Sequence, residues 1–435
     1  MKSLKLLLRF AVLGGLILVL LIPLLLIRSV ITDRAGYRDQ AIERVAQSKA
    51  GEQRVIGPVR YLPWTREVEM KVRDEDGQTR VEKHQETGVE MQAPSRLWVD
   101  GVLLPAERRI GLFKVPVYTW QAKVKAEFAP WRYPAVAGRS YGQPYLAVGL
   151  SDARGLVGVP DLRVAGQPLR ALAGAGALKQ GIHAELPALG DGTGGALPAI
   201  AQVALDLQLD GTRSLAIVPI GDSTEVSLSS AWPHPLFGGS FLPNRRDISA
   251  QGFNARWSLS ALATNAQAQL RANQAPDALQ VDLVDPVDVY TLADRASKYG
   301  LLFVLLTFTG FVLLELIRKL KIHPVQYLLV GLALAIFFLL LFSLSEHIAF
   351  WQAYLVSAAA CIGLQFFYLA GVLRSRALAA GFAVLLTALY GVLYSLLVSE
   401  DNALLMGSLL LFGILGAVMW LTRRLDWYAL NDELR

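Results

Sequence analysis

The stretch FAVLGGLILVLLIPLLLI, residues 10–27, carries no charged side chain and is followed at once by Arg28. A helix needs about 20 apolar residues to cross the hydrocarbon core of a bilayer. A long polar stretch comes next, and then five more apolar runs in close succession: residues 299–317, 325–345, 348–373, 377–399 and 402–422. Lipid offers no partner to a bare backbone amide, so runs of this length predict helices. The chain therefore reads as an integral membrane protein with six spans, one N-terminal and five C-terminal, and a large water-exposed domain between the first and second.

Short basic loops stay in the cytoplasm. Lys2, Lys5 and Arg9 precede the first span, Arg318, Lys319 and Lys321 follow the second, Arg374 and Arg376 follow the fourth, and Arg423 and Arg424 follow the sixth. The opposite loops hold Glu346 with His347 and Glu400 with Asp401. This pattern predicts both termini inside and residues 32–298 outside. Arg28, Arg34 and Arg38 oppose it locally, and the later loops outweigh them. A cleaved signal peptide has a shorter apolar core and a small-residue cleavage site; the run here ends in Leu-Leu-Leu-Ile-Arg, which predicts an uncleaved signal anchor.

Mean hydropathy of +0.39 beside 18% charged residues fits a chain that is part membrane and part soluble domain. The net charge of +6 gathers around the spans, which points to topology and lipid headgroups and away from nucleic acid. The single cysteine, Cys361, lies inside the fourth span, so the exported domain has no internal disulfide and relies on its core.

That domain reads as β structure. Tyr118, Trp120, Ala122, Val124, Ala126 and Phe128 alternate with Thr119, Gln121, Lys123, Lys125 and Glu127, as in a strand with one dry and one wet face. Ala201, Val203, Leu205, Leu207 and Leu209 repeat the pattern before Asp210-Gly211, which predicts a hairpin turn into residues 215–218. Residues 67–73 and 79–83 flank a second Asp-Gly, Asp76-Gly77. Phe253, Ala255, Trp257 and Leu259 give a further strand. Antiparallel sheets packed face to face, as one sandwich or two, are the expected architecture. Residues 32–49 predict a helical stalk continuing the first span, and residues 171–199, rich in Ala and Gly, predict surface loops.

Little chemistry is legible. Glu315 is the one ionisable side chain within the spans; a buried charge in lipid usually serves a purpose, but pairing with Arg318, Lys319 or Lys321 at the interface is the plainer reading. Gln326, Gln352, Gln365, Thr387 and Ser395 read as polar packing between helices. Glu346, His347, Glu400 and Asp401 are too few in kind for a metal site to be expected. Ser151-Asp152-Ala153-Arg154-Gly155 resembles a catalytic loop only superficially, and His84, His183 and His234 have no evident partners. Trp232-Pro233-His234-Pro235 predicts a turn. No G-x-S-x-G, H-E-x-x-H or C-x-x-C motif is present, and the glycines of residues 190–195 lack the Gly-Lys-Ser/Thr of a phosphate loop. The expectation is a protein that is not an enzyme, with no cofactor and no metal.

A set of motifs in order along the chain is similar to the CreD family of bacterial inner-membrane proteins: D-R-A-G-Y-R (33–38), A-E-R-R-I-G-L-F (106–113), S-D-A-R-G (151–155), W-P-H-P-L-F (232–237), D-R-A-S-K-Y (294–299), H-P-V-Q-Y-L-L-V-G-L (323–332), L-S-E-H (344–347) and T-R-R-L-D-W-Y (422–428). The resemblance implies a role in cell-envelope integrity, expression under a two-component system, and links to colicin tolerance and β-lactam responses. It implies no biochemical activity and no catalytic residues.

The reading is an α+β membrane protein: a signal-anchor helix in 1–31, a periplasmic β-rich, sandwich-like domain with a helical stalk in 32–298, and a five-helix bundle with a cytoplasmic tail in 299–435. Asp33, Arg34 and Arg38 beyond the first span, with Asp294, Arg295 and Lys298 before the second, are the expected charged structural collar. Glu315, Glu346 and His347 are the candidate functional polar positions. The partners expected are the lipid bilayer and an envelope protein or glycan, with oligomeric state left open. The alternative function is transport of a small molecule or lipid by the C-terminal bundle, which requires Glu315, Gln326, Gln352 or Gln365 to face an internal cavity.

Overall fold

The computed structural model describes residues 2–73, 79–133, 136–188, 195–284, 288–318, 322–399 and 403–423. The chain forms two compact units, one of Met1–Arg38 with Val287–Arg435, the other of Asp39–Pro286. The helices are α1 (Lys2–Ser48), α2 (Ala266–Arg271), α3 (Val289–Arg318), α4 (Pro324–Ser345), α5 (Phe350–Val372), α6 (Arg376–Val398) and α7 (Ala403–Thr422).

In the membrane unit, α1, α3, α4, α5 and α6 are each long and apolar enough to cross a bilayer, while the apolar stretch of α7, Leu405–Trp420, is shorter. The count thus differs slightly from six full-length spans. Leu20, Leu24, Ile27 and Ile31 of α1 are buried at the four- and three-residue spacing of one helical stripe. The glycine at 331 is what lets α1 approach α4, because a Cβ there would lie 2.1 Å from Leu20 Cδ1. Around them an aromatic core forms from Phe303, Phe311, Tyr327, Phe337, Phe338 and Tyr390. His323 and Gln326 close a reciprocal capping box at the start of α4, satisfying amides that would otherwise be bare at the helix end.

The β unit contains β1 (Gln53–Arg73), β2 (Thr79–Gln92), β3 (Arg96–Ile110), β4 (Phe113–Phe128), β5 (Trp131–Tyr133), β6 (Arg139–Tyr141), β7 (Tyr145–Leu150), β8 (Leu156–Val164), β9 (Gln167–Leu169), β10 (Leu172–Ala173), β11 (Gly181–Glu185), β12 (Gly195–Leu197), β13 (Ile200–Thr212), β14 (Ser214–Ile217), β15 (Ser223–Ser230), β16 (Pro235–Gly239), β17 (Arg245–Ser249), β18 (Gly252–Ser260) and β19 (Leu279–Leu283). One sheet runs β10-β11-β7-β1-β14-β19-β16, with β2 and β6 also on β1; the other runs β17-β18-β15-β3-β4-β13-β8-β9. A single apolar core, including Tyr61, Leu150 and Val281 from the first sheet and Trp120, Leu205 and Trp257 from the second, joins them as one sandwich. Pairing is antiparallel apart from β1 with β14 and β3 with β15, which are parallel. The alternation read from residues 118–128 is β4, and that of residues 253–259 is β18.

Two local expectations are corrected. Asp210-Gly211 makes no hairpin. Both residues lie inside β13, and neither takes the positive φ that a tight Asp-Gly turn needs. The chain instead passes through Arg213, at φ +65°, and leaves one sheet for the other, where β14 pairs with β1 and β19. Gly211 is required for a different reason: a Cβ there would sit 2.3 Å from the Tyr118 hydroxyl. Within 171–199, expected as surface loops, the described residues also supply the short strands β10, β11 and β12, while 189–194 lie outside the described residues. The Asp76-Gly77 turn lies outside the described residues, but its flanks pair in register from Arg60 opposite Gln92 to Arg73 opposite Thr79.

Candidate functional site

In the membrane unit, charged side chains on α1 and around the start of α3 form two groups. Asp294 accepts Lys298 one turn later, Nζ to Oδ2 2.6 Å, and lies 3.6 Å from Arg28 Nε. Arg38 donates to Asp288 and lies over the Tyr290 ring, 5.3 Å from its centroid. Asp288 caps α3, accepting from Tyr290 N and Thr291 Oγ1 at 3.2 and 2.6 Å. Burial alone raises its pKa, but the hydrogen bonds from Arg38 and Thr291 and the Arg38 charge hold it below the ordinary value. Tyr290 then donates to Glu346 Oε1, 3.2 Å away, at the end of α4.

Of the expected collar, Arg38, Asp294 and Lys298 enter these contacts. Asp33 is exposed, and Arg34 and Arg295 are half-buried on the same helices. Glu346 joins the group, whereas His347 is exposed beside it. Sequence reasoning missed Asp288, Tyr290, Thr291 and Arg28. The available signal was Asp288 ahead of an apolar run, the pattern of a helix N-cap.

Glu315 is buried, with 4% of its surface exposed. It accepts from the Ile322 amide at 3.0 Å and the Tyr327 hydroxyl at 2.7 Å, fastening the connection between α3 and α4. The side chains of Arg318, Lys319 and Lys321, its expected partners, lie outside the described residues. Gln326 is used by the α4 cap and Gln352 is exposed. Gln365 is buried against Cys361, which also takes the Tyr390 hydroxyl at 3.1 Å. Thr387 and Ser395 donate to carbonyls one turn back on their own helix.

In the β unit, the S-D-A-R-G segment and its neighbours grip the C-terminal end of α1. The Arg154 fork donates to both carboxylate oxygens of Asp152, Nε to Oδ1 at 2.9 Å and Nη2 to Oδ2 at 2.6 Å, while its Nη1 donates to the Gln47 carbonyl at 2.8 Å. Helix ends leave carbonyls without intrahelical donors, and a cation there also opposes the negative end of the helix dipole. Asp152 further accepts from Gly51 N at 3.1 Å. Its hydrogen bonds from Arg154, with Gly51 N and the Arg154 charge, hold its pKa down at about 2 against the effect of burial.

From the opposite sheet, Asp210 pairs with Lys49 at 2.6 Å and accepts from Thr119. Burial raises the Asp210 pKa, and these two partners more than reverse it. Gln53, on β1 of the other sheet, donates from Nε2 to the Asp210 carbonyl of β13 at 3.0 Å and to the carbonyl of Asp152 in the link after β7 at 2.9 Å. Thr212 donates to Ala50 O at 2.7 Å. Ser151 is occupied with the Glu52 carbonyl at 2.7 Å and the Arg54 amide at 2.8 Å.

The histidines have other company. His183 Nδ1 lies 2.7 Å from Gly174 O and its ring meets Tyr145 edge-on. The carbonyl of His234 accepts from Trp232 Nε1, and His84 is exposed on β2. Among the described residues no three His, Cys, Asp or Glu side chains converge as metal ligands; Glu400 and Asp401 lie outside them.

Comparisons with known proteins agree with this anatomy. The family model described as Inner membrane protein CreD matches residues 5–428. Inner membrane protein CreD of Escherichia coli strain K12 is 36% identical over 426 residues, 96% of this chain and 92% of that protein. Among solved structures, the M1 zinc metallopeptidase of Deinococcus radiodurans is 9% identical over 44% of this chain and 42% of its own, with a TM-score of 0.19. A mutant of that enzyme gives 9% identity, the same coverage and a TM-score of 0.21. Scores so low carry no argument about fold or activity. The family match spans both units and every motif named above, and the chain belongs to the CreD family of inner membrane proteins.

Proposed function

We propose that the chain is a non-enzymatic inner-membrane protein that supports cell-envelope integrity through its β unit. In this reading the β unit lies in the periplasm, both termini lie in the cytoplasm, and the apolar helices anchor the unit. Expression under a two-component system comes with the family resemblance. The β unit makes contact with an envelope protein or glycan through the outward face of the eight-stranded sheet, where Lys123 and Arg256 are exposed.

The observation that carries the reading is the use made of the S-D-A-R-G segment. Ser151, Asp152 and Arg154 are engaged in holding the end of α1, so the segment most like a catalytic loop acts as a mechanical grip. Transport by the bundle would need Glu315, Gln326, Gln352 or Gln365 on an internal cavity. Glu315 and Gln365 are instead packed, Gln326 serves a helix cap, and Gln352 is exposed.

Two measurements test it. A single cysteine at Lys123, in a Cys361→Ser background, should react with a membrane-impermeant maleimide in cells whose outer membrane is permeabilised; protection there together with labelling only after lysis would overturn the orientation. Photo-crosslinkers at Lys123 and Arg256 should capture one defined envelope component in cells. Capture of nothing from either position, with function intact, would remove this face from the account.

A further inference from the structure

Among the described residues, no anion accompanies Arg60, a cation buried in the β unit. It lies in β1, opposite Leu146 on one side and Gln92 on the other, and 2% of its surface is exposed. Its Nη1 donates to Pro198 O at 2.9 Å and, more distantly, to Gln92 Oε1 at 3.4 Å. Both acceptors are neutral. Its Nε is buried with no acceptor, and among the described residues neither Nε nor Nη2 meets a protein oxygen. Burial lowers its pKa to about 10, the sign of desolvation that no carboxylate offsets.

Arg139, opposite Arg66 further along β1, also has a buried Nε without an acceptor, but its charge is met. It pairs with Glu90 at 3.0 Å and stacks over Trp64, 3.7 Å from the ring centroid. Arg60 has neither. Burying a guanidinium without a counter-charge is costly, and the edge left unused, Nε with Nη2, is the fork that grips a carboxylate or phosphate by two parallel hydrogen bonds.

The cover over this part of the sheet is slight. Among the described residues β5 and β12 pair only with each other, three residues against three, and Pro198, the acceptor for Arg60, directly follows β12. Beneath them, Leu62, which shares the Arg60 face of β1, packs with Tyr133, Tyr141 and Leu197. A two-stranded piece this short has little stability of its own, so lifting it is the route by which a solute reaches Arg60.

We propose that Arg60 is the seat of an oxyanion site, in which the Nε–Nη2 edge binds the carboxylate or phosphate group of a small ligand beneath the β5–β12 cover. The site does not depend on which side of the membrane the β unit faces.

The test uses the full chain in detergent micelles, unfolded thermally at pH 7 and constant ionic strength in sodium chloride, sodium phosphate or sodium glucuronate, and followed by tryptophan fluorescence. At about ten times the half-saturating concentration, phosphate or glucuronate should raise the midpoint by roughly 3 °C over chloride, and the arm that responds names the ligand chemistry. Arg60→Lys keeps the charge but loses the fork and should weaken the response at least tenfold. Arg60→Met should abolish it, and Arg139→Lys should retain it. If Arg60→Met does not fold, Arg60→Lys decides. The proposal is overturned if neither anion shifts the parent protein, or if the shift survives undiminished in the Arg60 variants.

Discussion

Gly155 is where the grip on α1 is most easily broken by a single carbon. It is the last residue of the short helical turn Ala153–Gly155 that leads into β8, and a Cβ there would meet Asp210 O at 2.3 Å, Gln53 Nε2 at 2.5 Å and Ala50 Cβ at 3.1 Å. The first of these is backbone of β13, in the centre of a sheet, and cannot swing aside. Accommodating the methyl group costs about 1–3 kcal/mol in displaced packing. Gln53 must also give up its bond to Asp210 O, about 1 kcal/mol more. Gly155→Ala should therefore destabilise the β unit by roughly 2–4 kcal/mol, a midpoint fall of about 4–16 °C for a unit of this size. The assay is thermal or urea unfolding of the full chain in micelles, read by the fluorescence of the buried Trp120 and Trp257. Gly51→Ala is the control: it lies in the same grip, keeps its backbone bonds, and has nothing within 4 Å of the added Cβ, so it should stay within about 0.5 kcal/mol of the parent. Equal stability of the two variants would refute the geometry of the grip.

Tyr118→Phe removes a fully buried hydroxyl that donates to Ser214 O at 2.6 Å, and should cost the β unit about 1–3 kcal/mol in urea unfolding because the carbonyl is left without that donor. Asp152 has a folded pKa of about 2 against about 3.9 when unfolded. Its contribution is therefore complete above pH 4 and lost as pH falls toward 2; Asp152→Asn should flatten the acid limb of the urea midpoint over that window, and an unchanged slope would count against the pairing with Arg154. Glu315→Leu should lower the thermal midpoint of the membrane unit by an amount equivalent to about 2–3 kcal/mol, through loss of the acceptor for Ile322 N and Tyr327. Glu315→Gln, which keeps one acceptor oxygen, should recover much of that, and equal behaviour of the two variants would show that these hydrogen bonds are not what holds the turn.

What the sequence revealed follows from how far each signal travels along the chain. The spans were legible because hydropathy is local and additive. β4 was legible because its outward face is wet, so Gln121, Lys123 and Lys125 mark the period. β7, Tyr145–Leu150, was invisible for the opposite reason: it is covered on both faces and reads as an unbroken apolar run that no period distinguishes. Most of β1 was missed as well, since Val55, Val59, Arg60, Tyr61 and Leu62 are all buried. Charges at the ends of α1 and α3 stood out singly. Their pairing did not, because Arg38 meets Asp288 from 250 residues away and no spacing rule reaches that far.

Asp210-Gly211 shows why a strong local signal can still mislead. Asp and Gly favour a turn because one has a short polar side chain and the other lacks a Cβ. The same two properties serve distant contacts equally well: Asp210 is the carboxylate that Lys49 and Thr119 need, and Gly211 is the gap that the Tyr118 hydroxyl needs. Local chemistry cannot separate these uses, but topology can, because β13 is paired on both edges by β4 and β8 and the chain cannot fold back at Asp210 without breaking that ladder. The consequence reaches the helix. Asp210 stands on β13 of one sheet and Asp152 on the link from β7 of the other sheet into β8, so the end of α1 is fixed only while the sandwich core holds the two sheets in register. Loss of either sheet would release Lys49 or Arg154 and let the last turn of α1 fray.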